Sequence, residues 1–426
     1  MARKVLLSFL GTNNYIETHY QIDIFKSPLV RFVQEAIIDH LCTDWRQDDR
    51  IYVFLTDAAR VKNWDNYEQR EGLKGILEKK AIWPLVESVN IHEGISEKEI
   101  WGLFNDIYSK LKDDDEVYFD ITHAFRSIPM FATVLMNYAK FMKNISVKSI
   151  LYGAFEKLGS AYEVSKLPEE KRVAPVIDLT SIVRLQNLTQ TASDVLNYGK
   201  IGIIGRTLSE SDYSSKVTQA IMQLKSTIEK LEECIILNRA SVLKRGELTS
   251  ELQIKIKQLK NDKDELNIAE REILSRLDDM ISKFGKNGQT NLEVAIDWAL
   301  EFDMIPQAYT LGQENIKELC LKKLSRDFKD MCIKHEGEQK KIVSGLLGIS
   351  KIEYQRGNVD ACFIKLFEKD LIKDLRPHYK VLKDNRNALN HAKENFDDGA
   401  KSMSTFKKEF KRYYDCLEIL KNAPEY

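Results

Sequence analysis

Between Arg3 and Gly153 the chain repeats one pattern, a short apolar run followed by an amphipathic stretch. The runs are 3–10 (RKVLLSFL, stopped by Gly11), Ile51 to Thr56, Ser88 to His92, Val117 to Ile121 and Val147 to Gly153. Runs that stay apolar on consecutive residues suit strands buried on both faces, and the stretches between them suit the covering helices. One such helix is opened by Ser27-Pro28, as N-cap and first-turn proline, and reaches about Leu41; a second lies near 66–80; a third is opened by the capping box Ser96-x-x-Glu99. The alternation predicts βαβ units and a doubly wound parallel sheet, with Ala174 to Thr180 as one more short strand.

After Ser181 the character changes to almost continuous helix. Val217, Ile221, Leu224, Ile228, Leu231 and Ile235 recur at spacings of four and three, the seam of a packed helix. A second stripe runs Leu252, Ile256, Leu259, Leu266, Ile273, Leu277. Gly285-Lys286-Asn287-Gly288 is the clearest break, and Thr290-x-x-Glu293 restarts a helix. Helices are predicted near 291–302, 306–328, 358–374, 377–392 and 400–421. The fold class is therefore α/β plus all-α, in three parts: 1–180, a helical connector and bundle over 181–289, and a helical domain over 290–426.

Composition narrows the function. Lys+Arg 64 against Asp+Glu 65 gives a net charge of -1, so any anion site must be local. No apolar run reaches the roughly 18 residues of a membrane span, and MARKVLLSFLGTNN lacks the form of a signal peptide, so a cytoplasmic protein without a membrane partner is expected. The 6 cysteines form no CxxC pair and no zinc-type spacing, which predicts packed, reduced thiols and no metal site. Neither GxGxxG nor GxxxxGK[ST] follows any run, which removes the dinucleotide and P-loop readings.

Ligands of doubly wound sheets bind outside the carboxyl ends of the strands. Two loops there carry chemistry. Gly11, Thr12, Asn13, Asn14 and Tyr15 are small or amide-rich, suited to close backbone approach and to hydrogen bonds with a sugar or base. Thr122, His123, Ala124, Phe125 and Arg126 set a hydroxyl, an imidazole and a guanidinium before a helix, where an anion is favoured. Each loop alone reads equally well as an ordinary turn or cap; their convergence favours a site. Asp120, just before the second loop, reads as structural, accepting N–H bonds or pairing with Arg126.

The segments LLSFLGTNNY, FDITHAFRSIPMFATVLMNYAK and APVIDLTSIVRL resemble the DxTHG-type CRISPR-associated proteins, whose N-terminal Rossmann-like domain is a CARF sensor. Asp120, Thr122 and His123 match the motif, while Ala124 stands where the family usually has Gly, adding a methyl that disfavours positive φ. The resemblance implies a CARF domain over 1–180, a cyclic oligoadenylate activator and a homodimer or higher homo-oligomer.

Arg386-Asn387-Ala388-Leu389-Asn390-His391 is a weak pattern alone, far more often just a surface Arg and His. Within a helical domain that follows a CARF-like one it resembles the HEPN ribonuclease motif, and FDMIPQAYTLGQENI is similar to the helix packed beside that motif. The resemblance implies a metal-independent endoribonuclease, without a cofactor, acting on single-stranded RNA in type III CRISPR antiviral defence. The RNA 2′-hydroxyl would be the nucleophile, giving a 2′,3′-cyclic phosphate. His391 would be the general acid/base, Arg386 would stabilise the charged phosphate, and Asn387 would position phosphate or imidazole. Two alternatives stay open: a non-enzymatic sensor relaying to a protein or DNA partner, and a CARF domain that cleaves its own activator.

Overall fold

The run KVLLSFL forms β1 (Lys4–Leu10), an interior strand of an eight-stranded sheet. The others are β2 (His19–Ile22), β3 (Phe25–Lys26), β4 (Arg50–Leu55), β5 (Val86–Asn90), β6 (Glu116–Asp120), β7 (Ser146–Gly153) and β8 (Val173–Asp178), in the order β3-β2-β8-β7-β6-β1-β4-β5. The computed structural model describes residues 2–67, 70–123, 128–209, 214–262, 266–284, 290–348, 361–390 and 401–424. They divide into two compact units, Met1–Arg184 and Leu185–Tyr426.

β7, β6, β1, β4 and β5 run parallel, as βαβ connections require. β1 and β4 are buried on both faces, which explains their unbroken apolar runs, while β5 lies half-exposed at the sheet edge. Leu6 and Leu10 point to the face covered by the helix Val33–Leu41, while Val5, Leu7 and Phe9 meet the helices Glu97–Lys110 and Ile128–Lys143. After β1 the chain forms the β2–β3 hairpin at the far edge of the sheet, comes back beside β1 as β4 and steps outward to β5, then crosses to the other side of β1 as β6. The strand order therefore reverses between β1 and β6.

The sheet is not wholly parallel: β8 pairs antiparallel with β7, and β2 and β3 form an antiparallel hairpin. That hairpin corrects the expected helix start at Ser27. Ser27 is buried, its hydroxyl accepting from the Tyr20 N–H (2.8 Å) and donating to the Pro28 carbonyl (2.7 Å), and the helix begins only at Val33. The helix expected near 66–80 shrinks to Leu73–Glu78. Ser96 caps as predicted, accepting from the Glu99 N–H, but the Glu99 carboxylate takes the N–H groups of Gly94 and Ile95.

In the second unit one apolar core runs from Leu188 to Leu420. The first predicted seam is buried throughout on the helix Ser215–Ile236, whereas in the second stripe Leu274 takes the buried place expected of Ile273. Thr290 and Glu293 make the full capping box of the helix Asn291–Glu301. The predicted 306–328 helix divides into Ile305–Lys323 and Ser325–Asp330, and 400–421 into Met403–Glu409 and Lys411–Asn422. Glu336–Gly348 is a helix the sequence reading lacked. The predicted boundary near 374–377 is absent: Asp370–Asn390 is one helix with Pro377 inside it. The break at Gly285 to Gly288 lies outside the described residues. Among the described residues no helix is long and apolar enough to cross a membrane.

Candidate functional site

The two chemistry-bearing loops leave the sheet where its order reverses, after β1 and after β6. Their ends are stitched together beneath the surface. Ser8, in register with Asp120, donates its hydroxyl to Asp120 Oδ2 at 2.6 Å. Asp120 Oδ1 accepts the Thr122 N–H (3.0 Å) and the Thr122 hydroxyl (2.5 Å), and that hydroxyl accepts the Gly153 N–H from the end of β7 (2.8 Å). Burial pushes the Asp120 carboxyl up while these three donors pull it down. Asp120 thus acts as a structural acceptor of N–H and O–H groups.

The first loop is held from inside. Gly11 donates its N–H to Tyr15 Oη at 3.0 Å, and a Cβ at Gly11 would press against that same oxygen at 3.0 Å. Asn63, in the short helical segment Arg60–Trp64 after β4, donates from Nδ2 to the carbonyls of Gly11 (2.8 Å) and Asn13 (3.0 Å). The Tyr15 ring packs on Phe32 (centroids 5.3 Å) and on the His123 imidazole (4.6 Å). The two loops therefore meet ring to ring.

His123 Nε2 is shut off from solvent and has no hydrogen-bond partner among the described residues. Burial lowers the imidazole to about 4, so near pH 7 it is neutral and supplies a donor and an acceptor, not the positive charge expected of it. Burial likewise pushes the Tyr15 and Tyr20 phenols up and keeps them protonated.

A cleft of about 380 Å³ opens here, lined by Asn13, Asn14, Tyr15, Thr122, His123 and, unforeseen from sequence, Tyr20, Gly153 and Glu156. Glu156 is the charged residue among the described lining, its carboxylate accepting the Tyr152 hydroxyl at 2.6 Å. Thr12 stands exposed between Gly11 and Asn13 in the same loop. Ala124, Phe125 and Arg126 lie outside the described residues.

In the helical unit, Arg386 and Asn387 sit half-buried near the end of the helix Asp370–Asn390; His391 lies outside the described residues. The helix Ile305–Lys323, from the segment resembling the motif's neighbour, does pack against it: Gln313 Nε2 donates to the Leu382 carbonyl (2.9 Å) and Asn385 Nδ2 to Tyr309 Oη (2.9 Å). Arg386 Nε is shielded from solvent without a partner among the described residues. Those residues also contain no group of three or more His, Cys, Asp or Glu placed to hold a metal ion. Of their cysteines, Cys42, Cys234, Cys320 and Cys416 are buried and free, and Cys332 is exposed.

A doubly wound sheet with a cleft at its switch point gives the first unit a Rossmann-like fold. Residues 5–156 match the family described as "CRISPR system endoribonuclease Csx1, CARF domain". Over those residues the chain is thus similar to the CARF domains of CRISPR-associated proteins. A CRISPR-associated protein of Methanocaldococcus jannaschii is 25% identical over 391 residues, 88% of this chain and 54% of that protein. The chain thus spans about half the length of the curated relative it matches. Among solved structures, Enterococcus italicus Csm6 bound to cyclic hexa-2′-fluoro-hexa-dAMP is similar at a TM-score of 0.47 and 13% identity, covering 100% of this chain and 96% of that one.

Proposed function

We propose that this chain is a type III CRISPR effector whose CARF domain binds a cyclic oligoadenylate and whose helical unit then cleaves single-stranded RNA without a metal. The observation that carries the reading is the meeting of the Gly11 to Tyr15 loop and the Thr122-His123 turn around one cleft, inside the domain matched to the Csx1 CARF family.

The cleft chemistry suits a nucleoside. Asn13, Asn14 and the neutral His123 offer hydrogen bonds to base edges and ribose, the Tyr15 ring offers an aromatic surface, and Glu156 can accept from an adenine amino group or a 2′-hydroxyl. Arg126 is the residue assigned to phosphate. A space of about 380 Å³ is at the small end of ligand sites. It would take part of a cyclic oligonucleotide, leaving the rest to a second copy of the chain about a two-fold axis.

For the RNA step, Arg386 supplies a permanently charged fork to the phosphate, Asn387 holds phosphate or imidazole, and His391 moves the protons as the RNA 2′-hydroxyl attacks. The test is RNA cleavage in excess chelator, with and without a panel of cyclic oligoadenylates of different ring size, for the parent and His391→Ala. Cleavage that needs one ring size and vanishes in the variant supports the reading; a parent inert with every ring, or a fully active His391→Ala, removes it.

A further inference from the structure

We infer that Tyr309, Gln313, Asn385, Lys401 and Glu409 form a polar clasp that sets the register of the helix carrying Arg386, so that they are positioning residues for RNA cleavage. The inference rests on the ribonuclease reading of Arg386.

The buried side-chain amides among the described residues of the helical unit are Gln313, Asn315 and Asn385. Gln313 and Asn385 join the helices Ile305–Lys323 and Asp370–Asn390, while Asn315 ties the first of these to Lys411–Asn422. Asn315 donates to Tyr413 Oη (2.8 Å), Gln313 to the Leu382 carbonyl one turn before Arg386, and Asn385 is the residue immediately before it. Elsewhere among the described residues of the unit the packing is mainly apolar, the other buried polar side chains being threonines and the glutamates Glu270 and Glu293.

Asn385 is fully engaged. Its Nδ2 donates to Tyr309 Oη (2.9 Å) and Glu409 Oε2 (2.7 Å), and its Oδ1 accepts from Lys401 Nζ (2.7 Å). Lys401 pairs with the same Glu409 oxygen at 2.7 Å, and Tyr309 Oη donates onward to the Phe406 carbonyl (2.9 Å). The Lys401 hydrogen bond, then that of Asn385, hold the Glu409 carboxyl below its usual range, so it stays charged. Three segments, Ile305–Lys323, Asp370–Asn390 and the stretch from Lys401 to Glu409, are tied at one point.

Why polar groups should stand here follows from what each kind of contact can specify. Apolar packing is non-directional and tolerates small slides of one helix along another, whereas a buried hydrogen bond fails if a donor moves away from its acceptor. Bonds at Leu382 and Asn385 fix both rotation and height of the last turns. Arg386 Nε has no partner among the described residues, none of which fixes the guanidinium at that atom, so its placement rests on the backbone beneath. Misplacing a reacting group by about 1 Å can cost on the order of 100-fold in rate.

The experiment compares the full chain with Tyr309→Phe, Glu409→Ala and Glu409→Gln, under the activating conditions set by the parent. Each is assayed for kcat and KM on RNA, thermal unfolding, and amide exchange over residues 383–390. Glu409→Ala should lose about 10- to 100-fold in kcat with KM nearly unchanged and faster exchange in those residues, because binding surfaces survive while alignment does not. Glu409→Gln, which keeps an acceptor for Asn385, should recover most of the loss, and Tyr309→Phe should fall between. Unchanged kcat in a folded Glu409→Ala or Tyr309→Phe, or losses that follow only the folded fraction, overturn the clasp. A parent without RNA cleavage, or an active His391→Ala, overturns instead the ribonuclease reading on which it rests.

Discussion

Ser8 and Asp120 face each other across β1 and β6, the serine hydroxyl donating to the buried carboxylate at 2.6 Å. A polar pair at the top of two otherwise apolar strands fixes the two cleft loops relative to each other. Removing the acceptor leaves the Ser8 hydroxyl and the Thr122 N–H unpaired in a dry site, so Asp120→Ala should cost about 2–3 kcal/mol of domain stability. Asp120→Asn keeps an acceptor for Thr122 and offers Ser8 a donor, so its cost should stay under about 1 kcal/mol. The sign with pH follows from the raised carboxyl. The native state holds its proton more tightly than the unfolded chain, so the parent loses stability as pH climbs from the ordinary carboxylate range through the raised value, and Asp120→Asn lacks that loss. Urea unfolding at several pH values decides it, and an Asp120→Ala domain as stable as the parent sinks it.

His123 has the opposite dependence. Its imidazole is lowered to about 4, so between there and its ordinary value the unfolded chain binds the proton that the native state refuses. Stability should therefore fall on acidification below about pH 6.5, by at most about 1.4 kcal/mol per pH unit from this group. His123→Phe, which keeps a ring against Tyr15 without a titrating nitrogen, should flatten that limb. Parallel stability-against-pH curves for parent and variant would show that His123 does not titrate in this way.

These two groups mark what the sequence could and could not reveal. β1 and β4 were legible because burial on both faces makes them apolar on consecutive residues, and β6 and β7 through the apolar stretches they bury in part, whereas β5 is a half-exposed edge strand. The hairpin His19–Ile22 and Phe25–Lys26 was not, since its strands are short and partly polar, and Ser27-Pro28 imitates a helix start while serving the hairpin. Pro377 imitates a helix stop. The helix runs through it because Ile372 and Leu375 before the proline and Tyr379 and Leu382 after it share one buried stripe, offsetting a penalty of roughly 3 kcal/mol. At the cleft, motif residues flanked by strand ends were readable, but Asn63 and Glu156 reach it only through tertiary closure. No local signal distinguishes that asparagine from any other polar residue of a short helical segment.

Arg386→Lys separates charge from geometry at the proposed nuclease site. Lysine keeps the positive charge but loses the planar fork that can meet two phosphate oxygens at once. Cleavage by Arg386→Lys should fall about 100-fold in kcat, roughly one oxyanion donor's worth, and excess chelator should leave the parent unaffected. Single-turnover assays on a labelled RNA give both numbers. Near-parental activity in Arg386→Lys would mean that the residue acts only as a diffuse charge, and loss of the parent's activity in chelator would point to a metal nuclease.

Asn63→Ala tests whether the cleft and the RNA chemistry belong to one switch. Asn63 holds the Gly11 and Asn13 carbonyls from outside the loop and is buried, so its loss should loosen the loop while leaving Arg386 and its helix untouched. Cyclic oligoadenylate affinity should fall about 10-fold, the two lost hydrogen bonds being worth roughly 1–2 kcal/mol together. If binding drives cleavage, linkage requires the activation midpoint to move by the same factor as the dissociation constant, with the rate at saturating activator unchanged. Calorimetric titration and activator-dependent RNA cleavage measure the two quantities separately. A weakened affinity with an unmoved midpoint would place the activating site elsewhere, because a ligand can shift the active population only through the site at which it binds.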